Sequence, residues 1–106
     1  DMVEKYIEEN FDKQISLDML AEIFHFNPTY LSRKFYQDKG YTINDFLNQK
    51  RIDYAIYLLK NSSLLVKDIS RNCGFINVSH FNRSFKKVTG KQPSQIRLEG
   101  NVENGH

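Results

Sequence analysis

Proline and glycine are scarce in this chain, two and five residues respectively, which excludes a turn-rich β architecture and a disordered, linker-like chain. A single cysteine excludes an internal disulfide and fits a reducing, cytoplasmic compartment. No apolar run approaches the roughly 18–20 residues that cross a bilayer, and no secretory signal is visible, so no membrane partner is expected. There is neither a phosphate-cradling glycine loop nor a Ser/His/Asp set, so neither catalysis nor a cofactor is expected. Cys73, His25 and His80, apart from His106 the only soft ligand candidates, lack the clustered spacing of a zinc site. No metal is expected, and Cys73 reads as buried packing.

What is present suits a small helical protein. The 106 residues are 40% hydrophobic, with eight Phe and six Tyr, enough for one compact core or two small lobes. The net charge of +2 hides an uneven distribution. Residues 1–25 hold seven acids and two bases, whereas residues 26–106 hold six acids and thirteen bases. Between Asn77 and Lys91 there are four bases (Arg83, Lys86, Lys87, Lys91) and no acid, a concentration expected of a phosphate-facing surface.

The stretch from Gly74 to Gly90 organises the rest. Phe81, Phe85 and Val88 fall on one helical face, leaving Ser79, Asn82, Arg83, Lys86 and Lys87 elsewhere. Asn77 is a candidate N-cap and Gly90 a candidate left-handed stop. A shorter helix over Ile69–Cys73 precedes the turn at Gly74, so the segment reads as a helix-turn-helix. Sliding the chain by fifty superimposes Leu31 on Phe81, Arg33 on Arg83, Phe35 on Phe85 and Gly40 on Gly90. The leading helix needs a shift of forty-nine, pairing Leu20 with Ile69, Ala21 with Ser70 and Phe24 with Cys73, so the second copy has one extra turn residue. Two tandem helix-turn-helix units are expected.

In chain order, apolar spacing predicts an acidic helix over 2–10 that braces the first lobe, then helices over 17–24, with Ser16 as cap, and 28–39, started by Asn27-Pro28. The third is expected to bury Leu31, Phe35 and Tyr36 and to leave Thr29, Ser32 and Arg33 open. Thr42 and Asp45 form a capping-box pattern for a long helix over 43–60, in which Ile43, Phe46, Leu47, Tyr54, Ala55, Leu58 and Leu59 spread over more than one face. Eighteen residues make a rod of about 27 Å, against about 34 Å for a DNA turn. Helices over 66–72 and 78–89 follow, then a short one from Pro93 carrying Ile96. The expected class is all-α: seven helices, in a first helix-turn-helix subdomain (1–41), a linker helix (42–60), a second subdomain (61–99) and a disordered tail (100–106).

Over positions 1–98 the chain resembles the AraC/XylS family of bacterial transcriptional regulators. The resemblance is carried by Ile69, Gly74-Phe75, Phe81, Arg83, Phe85, Lys86-Lys87, Gly90, Pro93 and Arg97, with Arg51, Ala55 and Leu58-Leu59 in the linker helix. Ser70, His80 and Ile96 depart from the family's usual Ala, Tyr and aromatic residue. The resemblance implies that 28–39 and 78–89 are recognition helices. It places base contacts on Thr29, Ser32 and Arg33, and on Val78, Ser79, Asn82 and Arg83. The side chains suit Arg33 and Arg83 to guanine, Asn82 to adenine, and Val78 and the Thr29 methyl to thymine methyls. Lys34, Lys86 and Lys87 suit phosphates. Arg51 reads as a structural contact. The implied partners are double-stranded DNA and RNA polymerase, with a regulatory domain outside this fragment, which is expected to be monomeric. The rival expectation is a helical protein-interaction module anchored by Tyr30, Tyr36 and Tyr57, which leaves the duplicated arginine unexplained.

Overall fold

Seven α-helices and no strand make up the described residues: α1 (Met2–Asn10), α2 (Leu17–Phe24), α3 (Pro28–Lys39), α4 (Ile43–Asn61), α5 (Val66–Asn72), α6 (Val78–Thr89) and α7 (Pro93–Asn104). The structure, a computed structural model, describes residues 1–104, with side chains described through Gly100.

The helix starts are set by local chemistry. Ser16 Oγ accepts the Met19 N–H at 3.1 Å, and Asn27 Oδ1 accepts those of Thr29 and Tyr30 at 2.9 and 3.2 Å. At α4 the capping box closes both ways: Asp45 N–H donates to Thr42 Oγ1 at 3.0 Å and Thr42 N–H to Asp45 Oδ2 at 3.4 Å.

Two compact units form, one over Asp1–Lys50 and the other beginning at Arg51. The division lies inside α4. The reason is that α4 serves two cores. Ile43 and Leu47 pack with Val3, Ile7, Leu20, Ala21, Leu31 and Phe35. Ile52, Ala55, Leu58 and Leu59 pack with Ile69, Cys73, Phe75, Phe81, Phe85 and Ile96.

In the first unit, α1 braces the end of α3. Tyr41 Oη donates to Glu4 Oε2 at 2.7 Å, and Lys39 Nζ lies 3.0 Å from Glu4 Oε1 and 3.4 Å from Asp1 Oδ2. The Tyr41 hydroxyl, followed by Lys39, holds the Glu4 carboxyl below its usual range.

In the second unit, Arg97 stops α4. Its Nε donates to Leu59 O at 3.3 Å and its Nη2 to Ser62 O at 3.2 Å, satisfying carbonyls that the helix end leaves open. Arg51 is buried, 6% exposed, with its guanidinium 5.5 Å from the Phe75 ring centroid, which makes it a structural residue. Helix α7 runs through Asn104, past position 100 where the tail is expected to begin. Gly100 is buried, and a Cβ there would lie 3.0 Å from Lys60 Cγ and 3.6 Å from Lys60 Cα. The glycine permits close approach of two helices instead of ending one. Residues 105–106 lie outside the described residues.

Both helix-turn-helix turns pivot on a left-handed residue, His25 at φ 61° and Gly74 at φ 94°. In each, the following phenylalanine N–H reaches five residues back, Phe26 to Ala21 O at 2.8 Å and Phe75 to Ser70 O at 3.1 Å. The extra residue of the second turn is therefore Ile76, which is 76% exposed. A non-glycine side chain is strained at positive φ, and exposed His25 has little packing to lose. His25→Gly is expected to stabilise the first unit by about 0.5–1 kcal/mol, net of the glycine's greater unfolded-state freedom. An unchanged or lowered thermal midpoint would show that the imidazole makes a compensating contact.

Candidate nucleic-acid interface

Helix α6 turns Phe81, Ser84 and Phe85 inward. With about 100° between residues, that burial directs Ser79, Arg83, Lys86 and Lys87 outward, with Asn82 half-buried at the margin. Asn77 Oδ1 accepts the His80 N–H at 2.8 Å, and Gly90 closes the helix at φ 76°. Val88 sits at the edge, exposed to solvent and not in the core as its spacing suggested. The His80 ring is held edge-on against Phe75, 5.4 Å between centroids. Val78 opens the helix on the exposed side.

Asn82, Arg83, Lys86, Lys87 and Gln92 line one open cleft. Gln92, at the α6–α7 turn, was missed by sequence reasoning; its place beside Pro93 was the available signal. Lys91 was expected to join the free bases, but its Nζ lies 2.6 Å from Glu99 Oε1, a pairing brought about by α7 folding back. Among the described residues Arg83, Lys86 and Lys87 have no carboxylate within ion-pair distance.

Helix α3 repeats the geometry with different chemistry. Leu31 and Phe35 face inward; Thr29, Ser32 and Arg33 are exposed. Lys34 is exposed but engaged, its Nζ 3.2 Å from Asp38 Oδ1. Since Lys39 is paired with Asp1 and Glu4, Arg33 is the cation of α3 without a carboxylate partner among the described residues. Tyr36, expected to be buried, is 55% exposed, because one step beyond Phe35 carries it about 100° away from the core. Neither α3 nor α6 has an acid in its first turn, so both positive helix ends remain open to an anion.

Cys73 is buried, and burial pushes its thiol up to about 12, so it stays protonated and acts as packing. Among the described residues no group of three or more His, Cys, Asp and Glu is placed to hold a metal, and no helix is long and apolar enough to cross a membrane.

Two turn-linked helix pairs, each presenting a capped helix with an outward arginine, define a helix-turn-helix protein of the DNA-binding class. A family profile described as a helix-turn-helix domain matches residues 20–99. The chain is 40% identical over 82 residues to the HTH-type transcriptional activator RhaR of Escherichia coli (strain K12), covering 77% of this chain and 29% of RhaR. It is 32% identical over 103 residues to the bifunctional transcriptional activator/DNA repair enzyme AdaA of Bacillus subtilis (strain 168), covering 97% and 49%. The DNA-binding domain of the global transcriptional factor AdpA, solved with a target DNA, shares the fold, with TM-score 0.91 over 99% of this chain and 95% of that one at 21% identity. The chain belongs to the AraC/XylS family of helix-turn-helix transcriptional regulators. The matched segment is the helix-turn-helix, DNA-binding type of domain that this family carries. The chain spans about half or less of the length of the curated relatives it matches.

Proposed function

We propose that α3 and α6 read two unlike half-sites of an asymmetric duplex, each in a major-groove segment one helical turn from the other. The observation that carries this reading is the repeated outward arginine, six residues after an asparagine cap in both units, Asn27 to Arg33 and Asn77 to Arg83. Arg33 and Arg83 each donate two bonds to guanine O6 and N7, and Asn82 pairs with adenine N6 and N7. Val78 and the Thr29 methyl touch thymine methyls, while Ser32 and Ser79 bond whichever base edge faces them. Lys86 and Lys87 hold phosphates, joined by Gln92 and by Lys34 once it leaves Asp38. An exposed pair such as Lys34–Asp38 is worth at most about 1 kcal/mol, so a phosphate displaces it at little cost.

In this reading the chain binds DNA without catalysing a reaction, acts in the cytoplasm as one copy per site, and has RNA polymerase as its protein partner. Selection of bound duplexes from a random-sequence pool, with affinity followed against salt, tests it. Two unlike motifs about one helical turn apart are expected, with a log–log salt slope of about −4 to −6 for four to seven phosphates. Failure to retain any duplex at low salt would overturn the assignment.

A further inference from the structure

The repeat register sets each outward residue of α3 against one of α6. Thr29 matches Ser79, Ser32 matches Asn82 and Arg33 matches Arg83, and one turn further Tyr36 and Gln37 stand where the second unit has Lys86 and Lys87. Residues 33 and 36 fall about 60° apart on the helix, as do 83 and 86, so Tyr36 flanks Arg33 as Lys86 flanks Arg83. Tyr36 is exposed, and among the described residues its hydroxyl has no hydrogen-bond partner. Tyr30, the other exposed tyrosine of α3, is held against Phe26 with 5.8 Å between ring centroids. The outward turn of α3 that corresponds to the basic turn of α6 is thus neutral, and ends in a free phenol.

We propose that Tyr36 grips the DNA backbone for the first unit, its phenolic O–H donating to a phosphate at the register position where Lys86 acts by charge in the second. This rests on the DNA-reading assignment above. The two units then hold a duplex by different physics. A cation on a phosphate displaces condensed counterions, so its share of the affinity falls as salt rises; a neutral hydroxyl displaces none. The Tyr36 contact therefore persists at salt concentrations that weaken the Lys86 contact.

The test is affinity for a selected duplex and for unrelated duplexes, measured against salt, for the 106-residue chain and its Tyr36→Phe, Tyr36→Lys and Lys86→Ala variants. Tyr36→Phe removes one oxygen from an exposed ring and is expected to weaken every duplex about tenfold while leaving the salt slope unchanged. Tyr36→Lys is expected to steepen the slope by about 0.9, and Lys86→Ala to flatten it by about the same amount. If the parent chain binds and Lys86→Ala flattens the slope, but Tyr36→Phe binds as tightly as the parent, the inference fails while the DNA reading stands. A loss confined to particular base sequences would make Tyr36 a base reader and also overturn it. If the parent chain binds no duplex at low salt, the underlying assignment falls and the inference with it.

Discussion

Phe81→Ala is expected to destabilise the second unit by about 3–5 kcal/mol, the largest effect of any single side-chain truncation considered for this protein. Phe81 is fully buried at 0% exposure, with its ring centroid 5.2 Å from that of Phe75 and 5.5 Å from that of Phe85. Truncation removes the transfer free energy of the ring and leaves a cavity whose walls, Phe75 on the turn and Phe85 one turn along α6, are fixed by their own packing. Small domains have total stabilities of about 5–15 kcal/mol, so this is a large part of what holds α6 in place. Urea denaturation followed by far-ultraviolet circular dichroism measures the loss, and amide exchange locates it in residues beyond Arg51. A change below about 1 kcal/mol would mean that the ring is not the centre of the core.

The second large effect is on recognition. Arg83→Ala removes an exposed side chain with no ion pair among the described residues, so folding stability is expected to stay within about 0.5 kcal/mol of the parent. Binding is expected to weaken by about 1–3 kcal/mol against duplexes carrying the preferred base at one step, with discrimination relaxed at that step and kept elsewhere. Arg33→Ala should relax a different step, because its neighbours Thr29 and Ser32 differ from Ser79 and Asn82. Titration against a panel of single-base variants separates the outcomes. An equal loss on all duplexes would assign Arg83 to a phosphate and remove the duplicated arginine as the reader of the two half-sites.

Helix positions were legible because the signals that set them are local. The spacing of Leu31 and Phe35, and of Phe81 and Phe85, defines inner faces at 3.6 residues per turn, and the caps Ser16, Asn27, Thr42 and Asn77 bond within three residues of themselves. The repeat was legible for the same reason, down to the single extra residue in the second turn. Apolar character alone misled at the margins. Tyr36 and Val88 read as inward from the sequence and are exposed, since an aromatic or branched residue beside a buried one tolerates either side of the boundary. Ile52 and Ser84 were not singled out, yet both are buried, and the serine is admitted by its size on the inner face of α6.

The amino-acid sequence by itself determined the number and order of the helices, their caps, the tandem repeat, and the outward placement of Arg33 and Arg83, because each depends on residues within a turn or two of one another. Tertiary structure alone decided which charges remain free and which backbone groups need help from afar. Lys91 is taken by Glu99 and Lys39 by Asp1 and Glu4, so the basic face is narrower than the count of lysines implied. Arg97, thirty-eight residues from Leu59, caps α4, and Gly100 lets α7 lie against Lys60. None of these partners is marked by periodicity, because Coulomb attraction and close packing depend on distance in space, which folding sets only after the helices are in place.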